Sequence, residues 1–147
     1  MEGDNSTWTV GGRLKQLKST KHVPNPKLGW NELKGAKESI YSIELFDYQP
    51  VAEALYKAIG KDAAEVTPYL LWLQVSSEMK GGVFIGETCM AHACNIAGAL
   101  IAVDANTRKV FVAWKGPEGG FQLRPEASSW PGQVQPKLQK WMKALQE

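Results

Sequence analysis

The sequence predicts an α+β fold, in which a central antiparallel sheet has short helices packed on one face. Short β-rich runs are joined by short turns rich in Gly, Asn and Asp, which is typical of an antiparallel meander. Helical periodicity lies outside these runs, so the alternation of strands and helices that builds a parallel sheet is missing. The 147 residues, 44% hydrophobic and 22% charged, suit one globular domain spanning residues 1–147.

The N-terminal quarter is polar and basic. Residues 1–38 hold seven Lys or Arg and four Asp or Glu, and we expect residues 1–7 to be a flexible lead-in. Apolar side chains within residues 10–17 have the spacing of a short amphipathic helix, which Pro24 and Pro26 prevent from continuing. A basic arm for nucleic acid and a solvated lead-in both fit this composition. The small net charge of +2 favours the lead-in, and we expect no nucleic-acid partner.

A strand and a helix are predicted next. Residues 39–46 favour a strand because Tyr41, Ile43 and Leu45 would share one face. A helix is expected to open at Pro50 and to end at Gly60, which suits a helix cap. Its predicted apolar face comprises Val51, Ala54, Leu55, Ala58 and Ile59.

The remaining chain predicts a meander followed by a helix. The expected strands are 69–75, 83–88, 96–103, 109–115 and 121–124. Each is joined to the next by a turn signal or by a short loop. We expect 83–88, 96–103 and 109–115 to be sequential antiparallel neighbours. From about Gln135, apolar residues recur at helical spacing. They are Leu138, Trp141, Met142 and Leu145.

Several classes of function are disfavoured. No apolar run approaches the roughly 18 residues of a transmembrane helix, so no membrane span is expected. Residues 1–12 lack the basic start and apolar stretch of a secretory signal. The chain shows no Gly-rich phosphate loop, G-x-S-x-G or H-E-x-x-H motif. We therefore expect neither an enzyme nor a bound cofactor.

One local cluster carries chemistry. Both cysteines, Cys89 and Cys94, flank His92 in a loop between two predicted strands. The spacing fits a small disulfide-closed loop, whose use would be to rigidify a protruding segment and lower the entropy cost of docking. It also fits two buried free thiols, or a zinc site completed by Glu87 or His22. A Cys/His nucleophile is disfavoured, because catalytic pairs usually come from separate elements.

The segment Cys89-Met-Ala-His-Ala-Cys94 resembles the signature loop of the inhibitor of vertebrate lysozyme (Ivy-like) family of bacterial periplasmic proteins. That loop has the sequence C-K-P-H-D-C, so both cysteines and His92 match, while Met90, Ala91 and Ala93 replace Lys, Pro and Asp. The resemblance covers about residues 69–115. The family fold, a central antiparallel sheet with short helices on one side, agrees with the fold predicted above.

The resemblance implies a non-catalytic inhibitor that inserts a loop into the cleft of a lysozyme. Carried over, a Cys89–Cys94 disulfide braces the loop, Met90, Ala91, His92 and Ala93 form its binding tip, and His92 contacts the catalytic carboxylates. The implied partner is a lysozyme or another hydrolase, and a homodimer is left open. The implied compartment is the periplasm, with the signal peptide lacking from this sequence. Alternatives are a cytoplasmic location, an immunity protein against another hydrolase or toxin, and a small zinc protein.

Overall fold

The structure, a computed structural model, describes residues 24–36 and 40–145. The predicted lead-in at 1–7 and the short helix within 10–17 lie outside these residues. Within the described ranges the α-helices are α1 (Trp30–Lys34), α2 (Gln49–Ile59), α3 (Ala63–Leu70) and α4 (Gln135–Leu145). The strands are β1 (Leu73–Lys80), β2 (Val83–Cys89), β3 (Gly98–Asp104), β4 (Lys109–Lys115) and β5 (Gln122–Arg124).

The five strands form one antiparallel meander in the order β1-β2-β3-β4-β5. The α+β class and the three predicted sequential neighbours are therefore confirmed. One row of cross-strand paired residues runs through β1 to β4. It consists of Leu73, Cys89, Gly98 and Lys115. We call this edge of the sheet the loop end, because the loop between the two cysteines extends from it.

The helices lie on both faces of the sheet, whereas the sequence analysis placed them on one. Helices α2 and α3 cover the face that carries Phe84, Ile101 and Trp114. Helix α4 covers the other face through Leu138 and Trp141. Strand β3 shows the physical reason, since all of its residues before Asp104 are buried and both of its faces need a cover. A nearly continuous apolar run is typical of such a strand.

The strand predicted at 39–46 is wrong over residues 40–46, and residue 39 lies outside the described ranges. The structure places a 3₁₀ helix at Ser42–Asp47, with Tyr41 largely exposed before it. The buried side chains of this helix are Ser42, Ile43, Leu45 and Phe46. They recur at a spacing of three, which suits the three residues per turn of a 3₁₀ helix, so the apparent alternation was misleading. Ser42 contacts β2 at Gly86, where a side chain in place of the glycine would collide with the Ser42 hydroxyl.

The strand predicted at 69–75 is wrong in its first half. Tyr69 and Leu70 end α3, and β1 begins at Leu73 and continues to Lys80. Leu70 is buried in the core beneath the α2–α3 face, where a helical path places it beside Val66. The predicted helix at 50–59 is confirmed, with Gly60 as its cap at φ 61°. The helix predicted from Gln135 is confirmed as α4.

Candidate functional site

The connection between β2 and β3 forms a loop that is closed by a disulfide between Cys89 and Cys94. Their Cα atoms lie 4.8 Å apart, within the usual span of a disulfide. Cys89 is the last residue of β2 and is 2% exposed, whereas Cys94 is exposed at the surface. The bond therefore ties the projecting part of the loop to the buried edge of the sheet.

Backbone hydrogen bonds shape the tip of this loop. The Ala93 N–H donates to the Met90 carbonyl at 2.8 Å, which closes a β-turn with His92 at its third position. His92 has φ 67°, as the third residue of a type II turn requires. Histidine is among the non-glycine residues enriched in this left-handed region. The Met90 N–H donates to the Ala97 carbonyl at 3.1 Å and continues the ladder beyond the last β2–β3 pair.

The predicted site residues are brought together on this turn. Ala91 and His92 are exposed, while Met90 and Ala93 are half-buried. Within the described part of the chain, no side chain or backbone group hydrogen-bonds to the His92 imidazole. A histidine held by the core would be buried and paired, whereas the His92 imidazole is exposed at the turn.

Lys115 anchors the second half of the loop and was missed by the sequence analysis. It pairs with Gly98 across the sheet. Its ammonium donates to the Ile96 carbonyl at 2.8 Å and to the Gly116 carbonyl at 3.3 Å. The loop is thereby joined to the turn that follows β4. Nothing in the sequence distinguishes this lysine from any other at the end of a strand.

Trp141 of α4 lies beneath the base of the loop. Its indole nitrogen is 3.6 Å from the point that a Cβ at Gly98 would occupy, and Trp141 itself is 3% exposed. The ring also contacts Phe121 edge-on at 5.5 Å between centroids. Gly98 pairs with Cys89, so the indole supports the row from which the loop projects.

Glu87 lies two residues before the disulfide and is the ionisable group nearest to it on β2. Burial raises the pKa of the Glu87 carboxyl, and the ammonium groups of Lys137 and Lys140 on α4 counter part of that rise. The carboxylate therefore carries a desolvation cost that its two lysine neighbours do not fully offset.

Replacing Glu87 by glutamine is expected to remove a pH-dependent term from the free energy of unfolding. A carboxyl whose pKa is higher in the folded state binds more protons there, so stability falls as pH rises from the unfolded pKa through the folded one. The wild type should lose stability across that interval relative to Glu87→Gln. Chemical denaturation at a series of pH values measures this difference. A constant difference between the two proteins would contradict the prediction.

In this structure the two sulfurs are bonded to each other, which is one of the arrangements that the spacing allowed. Neither sulfur is therefore a free thiol or a free thiolate ligand here. Among residues 24–36 and 40–145, no group of three or more His, Cys, Asp and Glu side chains is arranged to hold a metal ion. His22, the other predicted ligand, lies outside these ranges. Disulfides persist in oxidising compartments.

Comparison with known proteins agrees with this picture. The profile of the family "Inhibitor of vertebrate lysozyme (Ivy)" matches residues 50–144, a wider region than the 69–115 covered by the resemblance. The uncharacterized protein y4bG of Sinorhizobium fredii is 26% identical over 134 residues, or 91% of this chain. The chain spans only 49% of the length of that protein. No solved structure matches the chain.

The family match includes the elements that build the site. It begins at Pro50 in α2, spans all five strands and the loop at 89–94, and ends within α4 at residue 144. No helix in the described part of the chain is long and apolar enough to cross a membrane. Because the match covers well over half of its 147 residues, the chain belongs to the inhibitor of vertebrate lysozyme family.

Proposed function

We propose that the protein inhibits a C-type lysozyme-like hydrolase by inserting the tip Met90–Ala93 into the active-site cleft. The family comprises inhibitors and not enzymes, and the partner of an inhibitor of this kind is a protein. The observation that carries the proposal is the exposed His92 at the tip of a disulfide-closed turn, where the described residues offer its imidazole no partner. We place this activity in the periplasm, an oxidising compartment that suits the disulfide.

The chemistry of the cleft fits a histidine. Retaining glycosidases hold two carboxyl groups about 5–5.5 Å apart, and an imidazolium donates hydrogen bonds from both ring nitrogens. His92 can therefore bridge both acids. Binding of this kind blocks the cleft without any reaction.

Rigidity of the loop supports the same mechanism. Side chains and loops that are ordered before docking lose less entropy on binding. Here the disulfide, the turn at Met90–Ala93 and the Lys115 anchor hold the loop without the proline found in the family's signature. The tip thus has a defined shape before it meets a partner.

An apolar surface surrounds the tip. Leu73 is 59% exposed and pairs with Cys89 on one side of the loop, and Ile96 is 43% exposed on the other. Together with Met90, these side chains can bury apolar surface against a partner, whereas the family's signature has Lys and Asp in its loop. This difference favours the alternative of an immunity or interaction protein that uses the same fold against another hydrolase or toxin.

The proposal is tested by inhibition of a panel of hydrolases with the oxidised protein. We expect inhibition of at least one C-type lysozyme at micromolar or lower concentration, measured as the rate of cell-wall lysis. A goose-type lysozyme and an unrelated glycosidase serve as controls. If no C-type lysozyme is inhibited while another hydrolase or toxin is, the alternative is correct. If none is inhibited, the loop does not act as an active-site plug.

A further inference from the structure

A concave feature also lies at the loop end of the sheet. A cavity of about 340 Å³ opens between α3 and the turn 116–120, which joins β4 to β5. Glu65 and Tyr69 of α3 form one wall, Trp114 of β4 forms another, and Glu118 lies in the turn. We call this cavity the acidic socket.

The acidic socket and the inhibitory loop share one rim of the molecule. Trp114 directly precedes Lys115, which stands in the same cross-strand row as Cys89. Two inter-strand spacings of about 4.8 Å separate these two residues, so the turn 116–120 begins roughly 10 Å from the base of the loop. The Lys115 ammonium bonds the loop at Ile96 and the turn at Gly116, which fixes their relative positions.

The charge of the socket is unbalanced. Glu65 and Glu118 are both exposed at its mouth, and among the described residues neither forms an ion pair. Glu65 accepts a hydrogen bond from the Tyr69 hydroxyl at 3.4 Å. Burial, and then the Glu65 carboxylate, raise the pKa of Tyr69, so the phenol stays neutral.

Aromatic walls complete the socket. Tyr69 stacks on Trp72 with ring centroids 4.3 Å apart. Its hydroxyl is packed so closely on Gly116 that a Cβ added to this glycine would lie only 2.7 Å from it. Trp114 is 1% exposed, and its indole nitrogen has no hydrogen-bond partner among the residues described. The walls are therefore closely packed, and the accessible aromatic surface of the socket is mainly that of the half-buried Tyr69.

Of the two cations beside the socket, one is already in an ion pair, and the other, Lys115, donates to the Gly116 carbonyl in the socket wall. The Arg124 guanidinium lies 5.2 Å from the centre of the Trp114 ring and forms an ion pair with Asp62 at 3.3 Å. This shows that Trp114 accepts a cation on its surface, as aromatic rings do. Among the described residues, no ion pair joins Glu65 or Glu118 to a cation.

We propose that the acidic socket receives a lysine or arginine side chain of the partner hydrolase beside the inserted loop. The inference rests on the proposed function. A guanidinium can meet a carboxylate with two parallel hydrogen bonds and lie against the half-buried ring of Tyr69, whereas Trp114 is buried and its ring already faces Arg124. A neutral sugar would leave two carboxylates uncompensated on docking. The socket also explains how a chain of net charge +2 can approach a basic lysozyme, because attraction acts locally at the rim.

The first experiment tests the socket without any hydrolase. Full-length oxidised protein is titrated with Nα-acetylarginine amide, and the indole and turn amide signals are followed by NMR. We expect saturable shifts at Trp114, Trp72 and residues 116–120 that weaken with salt and vanish in the Glu65→Gln/Glu118→Gln double variant. N-acetylglucosamine is the competing probe. Shifts with the sugar alone, or with neither probe, would overturn the proposal.

The second experiment tests the role of the socket in docking. In the inhibition assay, Glu65→Gln/Glu118→Gln should bind C-type lysozyme about tenfold or more weakly, with a reduced dependence on salt. The matched control is Glu78→Gln on β1, an exposed carboxylate remote from the rim. Equal inhibition by the double variant and the wild type would overturn the docking role. Failure of the wild type to inhibit would instead refute the proposed function, while the arginine titration still decides on the socket.

Discussion

Replacing His92 by alanine is expected to weaken inhibition of a C-type lysozyme about thirtyfold or more. This corresponds to about 2 kcal/mol, the usual threshold for a residue that dominates an interface. The reason is that the imidazole alone at the tip can hydrogen-bond the two catalytic acids, since its neighbours Ala91 and Ala93 carry no polar side chain. Inhibition constants of the two oxidised proteins, measured at equal ionic strength, give the ratio.

The melting temperature of His92→Ala should match that of the wild type, because the imidazole is exposed and unpaired among the described residues. Arg108→Ala is the matched control. Arg108 is also exposed, also has a left-handed backbone at φ 60°, and lies in the β3–β4 turn at the opposite edge of the sheet. It should inhibit like the wild type.

A glycine at position 92 separates the side chain from the backbone. Glycine adopts a left-handed conformation without cost, so His92→Gly keeps the turn while removing the imidazole. We expect it to inhibit as poorly as His92→Ala. If wild type, His92→Ala and His92→Gly inhibit equally, the protein is an inhibitor that does not use this histidine.

The sheet and the loop were accessible from sequence because their signals are local. Turn residues bound β2, β3 and β4, and two cysteines with a histidine between them define the loop. Strand bounds at 109–115 and the start of α4 at Gln135 follow directly from the pattern. Local signals of this kind do not depend on what the segment packs against.

The misassigned elements depend on tertiary contacts instead. Ser42–Asp47 forms a 3₁₀ helix because Ser42 meets Gly86, and Gln74 accepts a hydrogen bond from the Ser42 N–H at 2.9 Å. These partners lie more than 30 positions away in sequence. The same holds for Lys115 and the acidic socket, whose parts come from α3 and from the β4–β5 turn. No single stretch of sequence contains such a site.

The packing of α4 on the second face provides the other large expected effect. Replacing Trp141 by alanine should lower the free energy of unfolding by about 3–5 kcal/mol, because a buried indole is removed from a well-packed site. For a chain of this size the melting temperature should fall by roughly 10–16 °C. Lys143→Ala, on the exposed side of the same helix, is the control and should change stability little. Denaturant titration of the three oxidised proteins measures the differences.

Trp141→Ala should also weaken inhibition, although the indole lies beneath the loop and is buried from any partner. Without the indole, the paired residues Cys89 and Gly98 at the base of the loop lose a packing contact. We expect the tip to be less ordered before docking as a result. Inhibition must be measured at a temperature where the variant is fully folded, so that lost binding is not lost protein. A variant that is destabilised as expected yet inhibits like the wild type would show that the disulfide and the Lys115 anchor order the loop by themselves. If Trp141→Ala is as stable as the wild type, this would contradict the packing of α4 on the second face of the sheet.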